Sequence, residues 1–190
     1  LSTFIACNSS KSTVESNSNK EINLNEKVAE SESTVKKTTA VKNQSGDLVG
    51  IADKTSFMQE PYNSWFDKGY DAYNVDLAIT DEIKDNLDGV TVKAFMGTWC
   101  GDSKRETPRF YKIADEVGLG INDIDLVTVN RSKKTPDNLQ EGFDVVRVPT
   151  FIFYRDGEEI GRFVEYARET LEKDILKIVS GQDYKHSYEK

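Results

Sequence analysis

Aromatic residues mark where this chain can fold. Phe4 is followed by no other aromatic until Phe57, and from there they recur to Tyr188. Residues 8–50 are rich in Ser, Lys, Glu, Asn and Thr, and carry six Lys against six acidic residues. Such a stretch offers too little apolar surface to offset the entropy of ordering it, so it reads as a disordered polar linker. A short strand over Asp47 to Ile51 is the one element expected near its end. The globular part then runs from about Phe57 to Ser180, roughly 125 residues and enough for one ordinary core. The net charge of −8 falls entirely within residues 51–190. An acidic surface repels phosphate backbones, which argues against nucleic acid as a partner.

Helical spacing of Tyr62, Trp65, Phe66, Tyr70 and Tyr73 predicts an aromatic-faced helix, with Pro61 suited to its first turn. Its aromatic face reads as core packing rather than a ligand cage. Thr80 is placed to cap a short helix that ends at Gly89. Val90 to Met96 reads as a buried strand. A helix follows over Asp102 to Val117, burying Phe110, Ile113, Ala114 and Val117. Ile124 to Val129 is a second buried strand, and Thr135-Pro136 opens a short helix. Thr150 to Tyr154 and Glu159 to Val164 form a hairpin through Asp156-Gly157. Leu171, Ile175, Ile178 and Val179 define a closing helix, and residues 182–190 form a tail. Strands separated by helices pair in parallel and the hairpin adds an antiparallel edge. The fold class expected is α/β, a central mixed sheet with helices on both faces and an additional N-terminal helix.

Cys100 lies where the first buried strand meets the following helix. The first-turn amides of a helix lack helical partners and its dipole is positive there, and both favour a thiolate over a thiol. Ser103, one turn on, is placed to donate its hydroxyl to the sulfur, whereas the carboxylate of Asp102 opposes ionisation. Asp102, Arg105 and Glu106 sit where they would tune access to the sulfur or be ordinary exposed residues. Arg131 and Arg147 are candidates to approach the same region. With two cysteines, Cys7 and Cys100, and one histidine, His186 near the end of the chain, the sequence holds no disulfide framework, histidine metal site or His-based triad. His186 reads as a solvated tail residue. No metal and no cofactor fingerprint is expected.

These features resemble the thioredoxin superfamily. The likeness rests on Trp99-Cys100-Gly101, on Pro108 eight residues after the cysteine, and on Val148-Pro149-Thr150 opening a strand before a glycine hairpin. It spans most of residues 77–181, preceded by an N-terminal helical extension over 51–76. The resemblance implies a thioredoxin-like three-layer fold, a redox cysteine at Cys100 and a cis Val148-Pro149 bond facing it. It also implies an extended substrate peptide held beside Trp99, Gly101, Val148, Pro149 and Thr150. Two departures bear on mechanism. The family's second cysteine is Ser103, so the motif is CxxS, and the family's buried acid falls on Ala94. Both point to a single-cysteine thiol–disulfide oxidoreductase that forms mixed disulfides with protein disulfides or low-molecular-weight thiols, resolved by an external thiol. The alternative is a non-catalytic peptide-binding module. A peroxidase of the same superfamily is disfavoured by Gly97 three residues before the cysteine.

The chain opens with Leu1 rather than Met. Phe4-Ile5-Ala6-Cys7 resembles the end of a bacterial lipoprotein signal peptide, with residues 1–7 as its remnant and lipobox-like cysteine. That resemblance implies lipidation of Cys7, a membrane anchor through it, and a domain held in the periplasm at the bacterial cell envelope.

Overall fold

The structure is a computed structural model and describes residues 38–190. It contains a six-stranded mixed sheet flanked by helices, the fold class expected. In chain order the strands are β1 (Val41–Lys42), β2 (Leu48–Ala52), β3 (Val90–Met96), β4 (Ile124–Thr128), β5 (Thr150–Arg155) and β6 (Glu158–Val164). The helices are α1 (Asn63–Ala72), α2 (Leu77–Lys84), α3 (Gly101–Val117) and α4 (Leu171–Val179). The strand order is β1-β2-β4-β3-β5-β6. Only β3 and β4 pair in parallel, with Val92 opposite Ile124 and Met96 opposite Thr128; every other neighbour is antiparallel.

Alternation along β3 divides the core in two. Val92, Ala94 and Met96 face the larger cluster, which takes Phe66 from α1, Ile83 from α2, Phe110 from α3 and Ile175 from α4. Phe95 faces the other side, with Val127, Val129, Val148 and Ile152. Leu139, Phe143 and Val145 cover that second face. The short helix expected at Thr135-Pro136 is absent: residues 131–148 form turns. Asn138 adopts a left-handed conformation, φ 53°, and the Gln140 side chain accepts from both the Thr135 amide and hydroxyl, so the chain curls instead of extending a helix.

Three other boundaries differ from expectation. The strand read at Asp47 to Ile51 is present as β2 and pairs with β4, Gly50 opposite Thr128, so ordered structure begins within the stretch expected to be linker. The cap of α2 is Asp76, whose carboxylate accepts from the amides of Ala78 and Ile79; Thr80 lies inside the helix, buried, donating to the Leu77 carbonyl. A cap must precede the free amides it serves, and Thr80 follows them. Finally, residues 182–190 pack back on the fold. Tyr184 donates to the fully buried Asp174 carboxylate at 3.1 Å, and Arg168 donates to the carbonyls of His186 and Glu189.

The aromatic face of α1 is core, as its spacing indicates. Phe66 stacks on Phe57 at 5.3 Å and meets Tyr111 of α3 edge-on at 5.9 Å. Close approach of α1 to α3 depends on Gly69, where a Cβ would come within 2.7 Å of Cγ of Pro108. Pro108 sits inside α3, so two residue types that usually disfavour helices meet at this crossing and let the backbones close up.

Candidate functional site

The site follows from strand register. β3 and β5 run antiparallel with Phe95 opposite Thr150, so the end of β3 lies beside the segment that precedes β5. The chain leaves β3 through Gly97, Thr98 and Trp99 and enters α3 with Cys100 as N-cap. Cys100 is half-buried, and its thiol donates to the Val148 carbonyl across 3.3 Å. The Val148-Pro149 peptide bond is cis. Val148, Pro149 and Thr150 are buried, and Thr150 donates to the Arg147 carbonyl at 2.8 Å, closing the turn before the strand. The carbonyl of Pro149 accepts from the Glu165 amide at 2.8 Å. The sulfur thus meets the side of the loop carrying Val148.

Trp99 is half-buried, and its indole N–H donates to the Val129 carbonyl at 2.9 Å. Gly97 makes room for it: a Cβ there would lie 2.5 Å from the indole ring. Gly101 is exposed on the rim, with open space around it. Ser103 is where the CxxS spacing places it, one turn into α3, but wholly buried. Its hydrogen bond is to the strand, not to the sulfur as expected: the Gly97 amide donates to Ser103 Oγ at 3.2 Å. That bond satisfies an amide that β3 leaves behind as it ends. Ala94, at the position of the family's acid, is buried in the larger cluster.

The charged residues divide differently from the sequence reading. Asp102, read from the sequence as a carboxylate near the sulfur, pairs with Arg105 at 2.8 Å. Glu106 is buried rather than exposed, and accepts from Arg105 at 2.6 Å and Arg109 at 3.3 Å. Arg131 does approach, with its guanidinium 5.6 Å from the Trp99 ring centre. Arg147 is directed away, pairing with Glu165 at 3.1 Å beneath the Tyr188 ring at 3.9 Å. His186 is half-buried in the docked tail instead of solvated; burial holds its imidazole below the usual range, opposed by Glu189 and reinforced by Arg162 and Arg168. Among the described residues no group of three or more His, Cys, Asp or Glu gathers to hold a metal ion. Cys7 lies outside the described residues.

Sequence reasoning missed how β2 joins the site. The Leu48 amide donates to Thr98 Oγ1 at 3.0 Å, and Asp47 just before it is buried. The Thr98 hydroxyl lies fifty residues beyond Leu48 and Arg131 lies 84 beyond Asp47, so no local pattern announces these two contacts.

The profile of the thioredoxin family matches residues 75–177. The chain belongs to the thioredoxin family. Thioredoxins are thiol–disulfide oxidoreductases, and the matched residues include Cys100. Thioredoxin H2 of Arabidopsis thaliana is 32% identical over 98 residues, 52% of this chain and 68% of that protein. Thioredoxin of Gallus gallus is 30% identical over 98 residues, 52% of this chain and 88% of that protein. A thioredoxin-like protein of Acanthamoeba polyphaga mimivirus is 31% identical over 100 residues, 53% of this chain and 67% of that protein. Among solved structures, a Pseudomonas aeruginosa protein of unknown function aligns with a TM-score of 0.53 at 14% identity, covering 69% of this chain and 93% of that one; this likeness concerns the fold alone. β1, β2 and α1 precede the residues matched by the family profile.

Proposed function

We propose that this protein exchanges disulfides through one cysteine. The Cys100 thiolate attacks a sulfur of a substrate disulfide; the substrate S–S bond breaks, one substrate thiolate leaves and the other half stays bound to Cys100. An external thiolate then attacks the substrate sulfur of that adduct and releases Cys100 as thiolate. Each step forms one S–S bond and breaks one, so electrons balance without a cofactor. The supporting observation is the half-buried Cys100 sulfur at the start of α3, 3.3 Å from the Val148 carbonyl, with a serine in the following CxxS position. Trp99, Gly101 and the Val148-Pro149-Thr150 segment form the rim on which an extended substrate would lie.

The test is adduct formation. Reduced full-length protein mixed with glutathione disulfide at pH 7 is expected to gain one glutathione on Cys100, by intact mass and peptide mapping, and to lose it on adding excess thiol. Cys100→Ser is expected to show none at the mapped site. Wild-type protein that binds disulfide peptides yet forms no adduct would instead be a peptide-binding module.

We further propose that Cys7 carries a lipid that anchors the protein at a bacterial cell envelope, with the domain on the periplasmic side. The support is the Phe4-Ile5-Ala6-Cys7 sequence followed by a polar stretch long enough to act as a tether. No helix among the described residues is long and apolar enough to cross a membrane. In a bacterial host, labelling with an alkynyl fatty acid is expected to mark the protein and to vanish in Cys7→Ser. Equal labelling of both refutes the anchor.

A further inference from the structure

The turn after β4 places Arg131 above Trp99, the residue before Cys100, in a long ion pair with Asp47 that leaves most of its donors unused. Asn130 fixes that turn: its side chain accepts from the amides of Ser132 and Lys134 at 2.9 and 3.0 Å, and its own amide donates to the Lys134 carbonyl at 3.0 Å. Just before it, the Val129 carbonyl holds the Trp99 indole N–H. One short segment therefore positions both the indole next to the reactive cysteine and the Arg131 guanidinium above that indole.

Arg131 is 68% exposed at its side chain. Its Nε edge faces the buried carboxylate of Asp47 across 3.8 Å, too far for a hydrogen bond, and Asp47 Oδ2 has no hydrogen-bond partner among the described residues. No protein acceptor among the described residues takes the other guanidinium N–H groups. A guanidinium with a free donor edge, held over an aromatic ring, is suited to grip a carboxylate in two-point fashion. Its surroundings reinforce the sign. Residues 131–134 bring Arg131, Lys133 and Lys134 and no acid, on a chain whose net charge is −8. An anion repelled by the protein as a whole is thus drawn to this turn.

We propose that Arg131, held over the Trp99 ring, forms a carboxylate-binding subsite that favours disulfides with a negative charge beside the reacting sulfur. The carboxylate belongs either to an acidic residue flanking a protein disulfide or to a small thiol such as glutathione. The inference rests on Cys100 being the reacting atom, as argued above.

The experiment compares reduced full-length protein against two small disulfides, the dianionic bis(nitrobenzoate) disulfide and the uncharged dipyridyl disulfide, after subtracting the signal of Cys100→Ser. The readout is the ratio of their second-order rate constants at low salt. Arg131→Ala is expected to lower the anionic-to-neutral ratio about fivefold, the upper end for an exposed charge pair. Arg131→Glu lowers it further, Arg131→Lys restores only the part that comes from charge, and added salt shrinks the effect. Disulfide-bridged peptides with Glu or Gln beside the cysteine, and glutathione disulfide or its ester, then separate the two sources of carboxylate. A ratio unmoved by Arg131→Ala and Arg131→Glu across all these pairs overturns the subsite while leaving Cys100 chemistry intact. Failure of Cys100 to react with either small disulfide overturns the exchange reading, and the subsite with it.

Discussion

Exchanging Ser103 for cysteine is expected to shorten the lifetime of a mixed disulfide on Cys100 by about a thousandfold or more. Ser103 follows Cys100 by three residues on α3, on the same side of the helix. A sulfur there attacks Cys100 Sγ within the molecule, the bond to the substrate breaks, the substrate thiolate leaves and an internal disulfide remains. Well-oriented internal groups act at effective concentrations of about 10⁵ M and above, against roughly millimolar external thiol, so even a poorly aligned sulfur outpaces the solution route. The burial of Ser103 keeps this position from competing solvent thiols. Ala94 supplies no carboxylate to take the proton from the new thiol, which limits the gain. The measurement is loss of a preloaded glutathione adduct, followed by mass in the absence of added thiol. An adduct as long-lived in Ser103→Cys as in wild type would mean that the two positions cannot reach each other.

The second large effect is on stability. Phe66→Ala is expected to cost about 3–5 kcal/mol, the range for emptying a buried phenyl site. That is a large part of the roughly 5–15 kcal/mol that holds a typical domain. Phe66 is almost wholly buried, and its neighbours include Phe57 before α1, Trp65 and Tyr70 within it, and Tyr111 on α3. Because Tyr111 shares a helix with Ser103, the loss should pass to the whole domain. Urea unfolding followed by far-UV circular dichroism and by the fluorescence of Trp99 alone, with Trp65 replaced by Phe in both proteins, should show coincident shifts. If Trp99 keeps its wild-type midpoint while part of the helical signal melts early, α1 is a separable addition.

How much of this was readable from the chain depends on where the deciding contacts lie. β3 appears at its expected residues and α3 begins one residue early, because their apolar periods and bounding glycines are local. That Val148-Pro149 faces Cys100 is what the family resemblance implies, and the Cys100 sulfur lies 3.3 Å from the Val148 carbonyl. The turns after Thr135 were not legible, since they depend on a Gln140 side chain folding back and on Asn138 taking a left-handed conformation. Glu106 reads as a surface acid until Arg105 and Arg109 enclose it. The subsite at Arg131 was visible only as a cation of unknown direction. Its ring partner lies 32 residues back and its carboxylate partner 84, distances over which composition and period carry no signal.

The docked end of the chain has one last consequence. Tyr188 lies against Arg147 and donates to Glu165, while the Glu165 amide holds the Pro149 carbonyl. The terminal residues thereby brace the loop that faces the sulfur. A polypeptide fused after Lys190, or a protease that trims the final few residues, acts on the geometry opposite Cys100 without touching it.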